Sequence, residues 1–200
     1  MMILLIRHGE SEADLLNVHE GRADFELTPR GHAQAIAMAE FVKSHYEVER
    51  IYASPLKRAA QTAGHLSDAL EIPVCFDEDL MEFNNGLLAG LPYDEAAEKY
   101  PEIPNLPINQ AVYGQESMLA FRSRAEKALE RIFSEGSDQK TIAIITHGGM
   151  IDQLYGAALK IPVGSAYHFC SGDTGIHLWE IRNDEVRIVQ SNLTGHAEGI

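Results

Sequence analysis

The sequence predicts an α/β fold, a three-layer sandwich with a mostly parallel central sheet flanked by helices, and three observations carry that expectation. Short apolar runs, Ile3-Leu4-Leu5-Ile6 and Ile142-Ala143-Ile144-Ile145, fit strands buried on both faces. Stretches of helical length and periodicity alternate with them. Three strands also run into cationic or imidazole side chains: Arg7-His8, Ser54-Pro55-Leu56-Lys57-Arg58 and Thr146-His147-Gly148-Gly149. Parallel strands would bring these three ends to one sheet edge, where α/β proteins bind their ligands.

In chain order, the first strand covers Ile3 to Ile6, and Gly9 ends it. Ser11 to Glu26 is polar and reads as a loop over the strand ends. Thr28 as N-cap and Pro29 at the first position announce a helix ending near His45, with Ala33, Ile36, Ala37, Ala39 and Phe41 supplying small and apolar residues. A second strand spans Ile51 to Ala53. Ser54-Pro55 repeats the cap-then-proline signature for a helix from Pro55 to about Leu70, which puts Arg58 in a first turn where unpaired N–H groups favour an anion. Val74 to Phe76 is a third strand. From Asp77 to Gln115 the pattern loosens, with one short helix expected over Tyr93–Tyr100; loops this long in a compact domain commonly wall a substrate site.

Glu116 to Phe133 is amphipathic helix, with Met118, Phe121, Ala125, Ala128, Leu129 and Ile132 as its core face and Gly136 as its stop. A strand over Thr141–Ile145 and a helix from Gly149 to about Leu159 follow. Gly175–Ile181 and Val186–Val189 form a hairpin turned at Asn183-Asp184, an apolar edge that could pair with a second copy in a homodimer. The tail beyond Ser191 carries no clear signal.

Sixteen basic against 30 acidic residues give a net charge of −14, which argues against a nucleic-acid or anionic-membrane partner. A positive pocket in such a chain has to be assembled from few arginines. Cys75 and Cys170 lack the spacing of a zinc or redox motif and read as small buried apolar side chains. With no signal-peptide pattern and no apolar run near the roughly 20 residues of a membrane span, the expected location is cytoplasmic.

Arg7-His8-Gly9-Glu10, Leu27-Thr28-Pro29-Arg30-Gly31 with Gln34-Ala35, the run from Ser54 to Ala63, Leu80-Met81-Glu82 with Gly86 and Gly90, and Thr146-His147-Gly148-Gly149 together resemble the phosphoglycerate-mutase-like branch of the histidine phosphatase superfamily. The motifs run in order from Ile3 to about Met150. The resemblance implies one domain over residues 1–200, with 77–115 as an irregular substrate-facing insertion. It implies a metal-independent phosphatase that needs no cofactor and hydrolyses a small phosphate monoester through a phosphohistidine. His8 would be the nucleophile, Arg7, Arg58 and His147 would hold the phosphoryl group, and Glu82 would be the proton donor. Gly148, Asn17 and Gly21 are further candidates for phosphate binding.

The residue types suit that chemistry. Phosphoryl transfer asks mainly for positioning and for charge on the equatorial oxygens, and arginine forks match oxyanions better than lysine does. A nucleophilic His8 must be neutral; flanking cations lower its pKa, and a hydrogen bond from the other ring nitrogen fixes the tautomer. Glu78 is the rival to Glu82. Glu10 is expected to fix local structure, and His19, His32, His45, His65, His168, His177 and His196 to be surface or structural. Asp14 stands where the family commonly has an asparagine that donates to phosphate. Like charges about 4 Å apart at an effective dielectric near 20 repel by roughly 4 kcal/mol, so Asp14 should turn away or pair with Arg22, leaving Asn17 as a donor. The rival functions are a cofactor-dependent phosphoglycerate mutase, disfavoured by only 64 residues between Glu82 and His147, and a non-catalytic phosphate-binding module. Specificity is expected in Phe83–Tyr113, with Asn84, Asn85, Asn109, Gln110 and Tyr113 available to a polar substrate.

Overall fold

The computed structural model describes residues 1–135, 141–183 and 185–200. Its strands are β1 (Met2–Arg7), β2 (Val48–Ala53), β3 (Val74–Phe76), β4 (Thr141–Thr146), β5 (Ile176–Arg182) and β6 (Glu185–Leu193). The helices are α1 (Glu12–Leu16), α2 (Pro29–His45), α3 (Lys57–Leu70), α4 (Tyr93–Lys99), α5 (Met118–Glu135) and α6 (Gly148–Ala158). One six-stranded sheet has the order β3-β2-β4-β1-β5-β6. The first four strands in that order are parallel, and β5 and β6 add an antiparallel edge. The fold is the α/β sandwich that the sequence predicts.

Both faces of β1 and β4 are covered, which is why their sequences show no polar alternation. Ile3, Leu5, Ile142 and Ile144 pack with Phe121, Ile132, Met150 and Tyr155 from α5 and α6. Leu4, Ile6, Ala143 and Ile145 pack with Met38, Val42, Ala63 and Leu66 from α2 and α3. The chain therefore leaves β1 for a helix on one face and leaves β4 for a helix on the other. Such a reversal opens a crevice at the carboxyl ends of the two neighbouring strands. In register, Arg7 lies opposite Thr146, and Ile145 opposite both Ile6 and Ala53, so His8, Ser54 and His147 follow nearly the same rung of the sheet.

Several elements depart from the sequence reading. Within the expected loop after β1 lies α1, five residues long and capped by Asp14, whose carboxylate accepts from the Ser11 N–H at 2.9 Å. Helix α3 starts at Lys57, with Leu56 rather than Ser54 at its cap. Met118, the first residue of α5, is 40% exposed and outside the core, whereas Phe121 is buried. Both cysteines are exposed, because Cys75 lies on the edge strand β3 and Cys170 in the segment before β5. The tail is docked: β6 continues to Leu193, and His196 packs against Phe41 and bonds Thr174 Oγ1 at 3.0 Å. Gly136 and Asp184, expected at a helix stop and a turn, lie outside the described residues. Among those described, no helix is long and apolar enough to cross a membrane.

Backbone contact seats the segment after β1. A side chain on Gly9 would lie 2.6 Å from the Gly31 carbonyl, and one on Gly31 would meet the Glu10 carbonyl. Glycine sits in the first turn of α2, despite its poor helix propensity, because the two backbones touch there. Glu10 also accepts from Thr28 Oγ1 and Arg30, each at 2.7 Å, fixing local structure as expected. We predict that Gly31→Ala destabilises the protein by about 1–3 kcal/mol. Urea unfolding measures this, and a variant as stable as the wild type would show that the contact yields freely.

Candidate active site

His8 directly follows β1 and His147 directly follows β4, and their ring centroids lie 5.1 Å apart. Both are buried. His8 Nδ1 is 2.7 Å from the Gly9 carbonyl, which can only accept, so this nitrogen carries the proton. Arg58 Nε donates to His8 Nε2 at 3.2 Å, which requires that nitrogen to be bare. Two contacts therefore select one tautomer and leave a lone pair on Nε2. Burial above all, then the charges of Arg58 and Arg7, hold the His8 pKa well below its ordinary value. His147 is depressed by burial and then by Arg58, His8 and Arg7. Its Nε2 is 2.8 Å from Ser54 Oγ, and Nδ1 has no hydrogen-bond partner among the described residues. Ser54 directly follows β2, and its Oγ also accepts from the Leu56 N–H at 3.3 Å, which aims it at His147.

The arginines are anchored differently. Arg58, in the first turn of α3, has no exposed side-chain surface. Its Nη1 donates to the Ala23 carbonyl at 3.1 Å and its Nη2 to the Gly21 carbonyl at 2.8 Å, which fixes the guanidinium with Nε against His8. Arg7 donates to the Ser171 carbonyl at 2.8 Å and lies 3.4 Å from Asp173 and 4.0 Å from Asp14. The structure thus brings Arg7, His8, Arg58 and His147 together from three strand ends.

Glu82 reaches the same place from the segment after β3. Its Oε2 accepts from Gly149 N–H at 2.9 Å, in the first turn of α6, and its Oε1 from Phe83 N–H at 2.7 Å. Gly148 opens that helix beside Arg7, and a Cβ on it would be 3.9 Å from Arg7 Cδ. Gly21 serves through its carbonyl as an acceptor for Arg58, at a φ of +47° where a side chain would also strike Asn85. Asn17 is not brought in: it ends α1 in the left-handed conformation, exposed, and no hydrogen bond ties its side chain to the cluster. Asp14 does not pair with Arg22, which instead donates to the Glu82 carbonyl at 3.3 Å; its Oδ2 accepts from the Ser11 N–H while its Oδ1 stays 4.0 Å from Arg7, at the edge of the cluster.

Three contributors escape sequence reasoning. Glu20 places Oε1 3.1 Å from Arg58 Nε and Oε2 3.7 Å from His8 Nε2. Arg124, on α5, donates to the carbonyls of Asp79, Met81 and Glu82 and pairs with Glu116 at 2.7 Å, clamping the segment that carries Glu82. Thr62 Oγ1 accepts from Gly9 N–H at 3.1 Å and donates to the Arg58 carbonyl at 2.7 Å, tying β1's end to α3. In sequence, Glu20 is one acid among many in a polar stretch, and Arg124 one cation on a helix.

The sequence profile of the histidine phosphatase superfamily (branch 1) matches residues 3–194. The chain belongs to that superfamily. Among curated relatives, this histidine phosphatase is 30% identical over 202 residues to phosphoserine phosphatase 1 of Hydrogenobacter thermophilus, spanning 97% of this chain and 93% of that protein. It is 33% identical over 159 residues to phosphoglycerate mutase-like protein 4 of Arabidopsis thaliana, spanning 76% and 69% of the two chains. Among solved structures, YhfR of Bacillus stearothermophilus superposes with a TM-score of 0.87 at 24% identity over 98% of this chain and 99% of the other. A putative alpha-ribazole-5'-P phosphatase from Escherichia coli superposes at 0.88 and 23% identity, with 97% of each chain covered. These two structural likenesses establish the fold.

Behind Arg7 lies His177, the one buried histidine outside the motifs. Its ring bonds Tyr155 Oη at 2.9 Å and Ser171 Oγ at 2.7 Å, and Ser171 is the residue whose carbonyl holds Arg7. Burial lowers its pKa to about 4. The unfolded chain, with a histidine pKa near 6.5, binds more protons than the folded one between about pH 4 and 6.5, so stability rises with pH across that window. Between pH 7 and pH 5 the wild type is therefore expected to lose about 2 kcal/mol more unfolding free energy than His177→Gln. Parallel slopes in urea unfolding would show that His177 titrates normally.

Proposed function

We propose that this histidine phosphatase hydrolyses a small phosphate monoester by way of a phosphohistidine at His8, with no metal ion required. The observation that carries the reading is the bare Nε2 of His8, fixed in that state by Gly9 and Arg58. In the first half-reaction Nε2 attacks phosphorus, the bond from phosphorus to the alcohol oxygen breaks, and Glu82 gives its proton to the leaving alkoxide. In the second, Glu82 takes a proton from water, which attacks the phosphohistidine and releases inorganic phosphate with His8 restored. Arg7, Arg58 and His147 stabilise charge on the phosphoryl oxygens. The unpartnered His147 Nδ1 is available to one of those oxygens.

Phosphatase chemistry is favoured over the mutase reaction by the short span between Glu82 and His147, and by a full-length relative named as a phosphoserine phosphatase. The alcohol half of the substrate is assigned to the segment covering the crevice. Asn84, Asn85 and Tyr113 spend their side chains there on local bonds to Gly86, Arg22 and Pro101. The same segment lines an open cleft of about 370 Å³ where Leu88, Ala96, Ile103 and Val112 stand beside His19, Glu102 and Gln115, and none of Arg7, His8, Arg58, Glu82 or His147 borders it.

Two measurements test the reading. His8→Ala is expected to lose turnover and to yield no acid-labile phosphoenzyme on rapid quench, whereas the wild type yields one; turnover surviving in His8→Ala would overturn the nucleophile assignment. Glu82→Gln is expected to lower kcat/KM, which reports only the steps through phosphoenzyme formation, about 10²–10⁴-fold on an alkyl phosphate and far less on p-nitrophenyl phosphate, whose leaving group needs no proton. Equal losses of kcat/KM on both substrates would remove Glu82 from the acid role.

A further inference from the structure

Glu20 occupies the space in which the reaction has to happen. In-line attack needs phosphorus about 3–3.5 Å from the nucleophilic nitrogen. Glu20 Oε2 already lies 3.7 Å from His8 Nε2, and Oε1 lies 3.1 Å from Arg58 Nε as its ion-pair partner, beside the N–H that Arg58 donates to His8. A carboxylate and a phosphoryl group cannot share that gap. Ser11 Oγ donates to Glu20 as well, and four-fifths of the side chain is out of contact with solvent.

The backbone on both sides of Glu20 is pinned. His19 exchanges hydrogen bonds with Leu91 and Gly90, each at 2.8 Å, and the Ala23 N–H bonds the Glu20 carbonyl at 2.8 Å. Beyond it, Gly21 and Ala23 hold Arg58 through their carbonyls. Only side-chain rotation can clear the gap, and rotation leaves the carboxyl at the rim, next to the incoming dianion. The charged groups facing it are Arg58 from α3, Arg7 and the neutral His8 at the end of β1, and Asp14 from α1. A phosphate dianion would take over the two arginines and leave Glu20 beside Asp14 and the phosphoryl oxygens, where a charged carboxylate is repelled and a neutral carboxyl can donate.

Resting on the reading of His8 as nucleophile, we propose that Glu20 competes with the phosphoryl group for Arg58, and that a phosphate monoester binds with uptake of one proton by Glu20, which then donates a hydrogen bond to a phosphoryl oxygen. The proton comes from solvent and returns there when phosphate leaves. Independently of substrate, burial already holds the Glu20 carboxyl above the usual carboxylate range against the pull of Arg58.

Calorimetric titration of the full chain with inorganic phosphate, repeated in buffers of different ionisation enthalpy, counts protons taken up on binding. At pH 7.5 the wild type is expected to take up about one proton more than Glu20→Gln. Glu20→Gln, neutral and able to donate at any pH, should bind phosphate at least about tenfold more tightly at pH 7.5, the gap closing toward pH 5. Glu20→Ala should also bind more tightly than wild type at pH 7.5, by less. Matching proton counts and affinities in wild type and Glu20→Gln would overturn the proposal, as would weaker binding than wild type at every pH in both variants. Urea unfolding midpoints separate a local effect from a folding defect. The nucleophile reading stands or falls elsewhere, on the phosphoenzyme: His8 labelling with no proton difference sinks the role of Glu20 alone.

Discussion

A guanidinium with no exposed surface sits at the centre of this protein, and much of the local architecture exists to make it tolerable. Burying a cation is costly unless each of its donors finds an acceptor. Arg58 is compensated by two loop carbonyls on one side and by His8 and the Glu20 carboxylate on the other. The loop at 20–24 is therefore an outer wall of Arg58 as much as a connection. Bonds from both Nη atoms to that wall hold the charge in place with Nε against His8. The same charge helps keep both imidazoles neutral, which is the state that a nitrogen nucleophile requires.

The surrounding charge explains how a chain of net charge −14 maintains a cationic pocket. Arg7 stands between Asp14 and Asp173, and Arg58 beside Glu20. Asp173 is itself pushed upward, chiefly by burial. These carboxylates keep the arginines compensated in a desolvated place, where an unpaired cation would be destabilising. On the proposed reading, an entering phosphate exchanges one set of anions for another, and affinity follows how easily the resident carboxylates give way.

Legibility in the sequence divided along physical lines. The apolar runs at Ile3–Ile6 and Ile142–Ile145 announced strands buried on both faces, and the switch between layers placed their ends side by side. Arg7, His8, Arg58 and His147 were readable because each stands just past a strand or in the first turn of a helix, positions that topology alone brings together. Glu20 was not readable, since its place depends on how a loop of mixed polarity folds back over Arg58. The repulsion argument was directed at Asp14, yet a five-residue helix gave that carboxylate the Ser11 N–H as a partner of its own. The cysteines were misjudged for a related reason: composition describes what a residue type usually does, and an edge strand such as β3 leaves half of its side chains to solvent.

Glu82 and His8 come from different segments, so the acid and the nucleophile proposed above need a common frame. Hydrogen bonds from the end of β4, from α5 and from the first turn of α6 provide it. Thr146 Oγ1 donates to the Leu80 carbonyl at 2.6 Å, fastening the acid's segment to the end of β4. Arg124 grips the carbonyls of Asp79, Met81 and Glu82 from α5. The Gly149 N–H holds the carboxylate itself, and His8 N–H bonds the Thr146 carbonyl at 3.0 Å. Thr146 is thus hydrogen-bonded through its side chain to the acid's segment and through its backbone to the histidine after β1. One threonine at the buried end of a central strand thus links the two groups. Loops can vary above such a frame, and with them the alcohol that is accepted, without displacing the atoms that exchange the phosphoryl group.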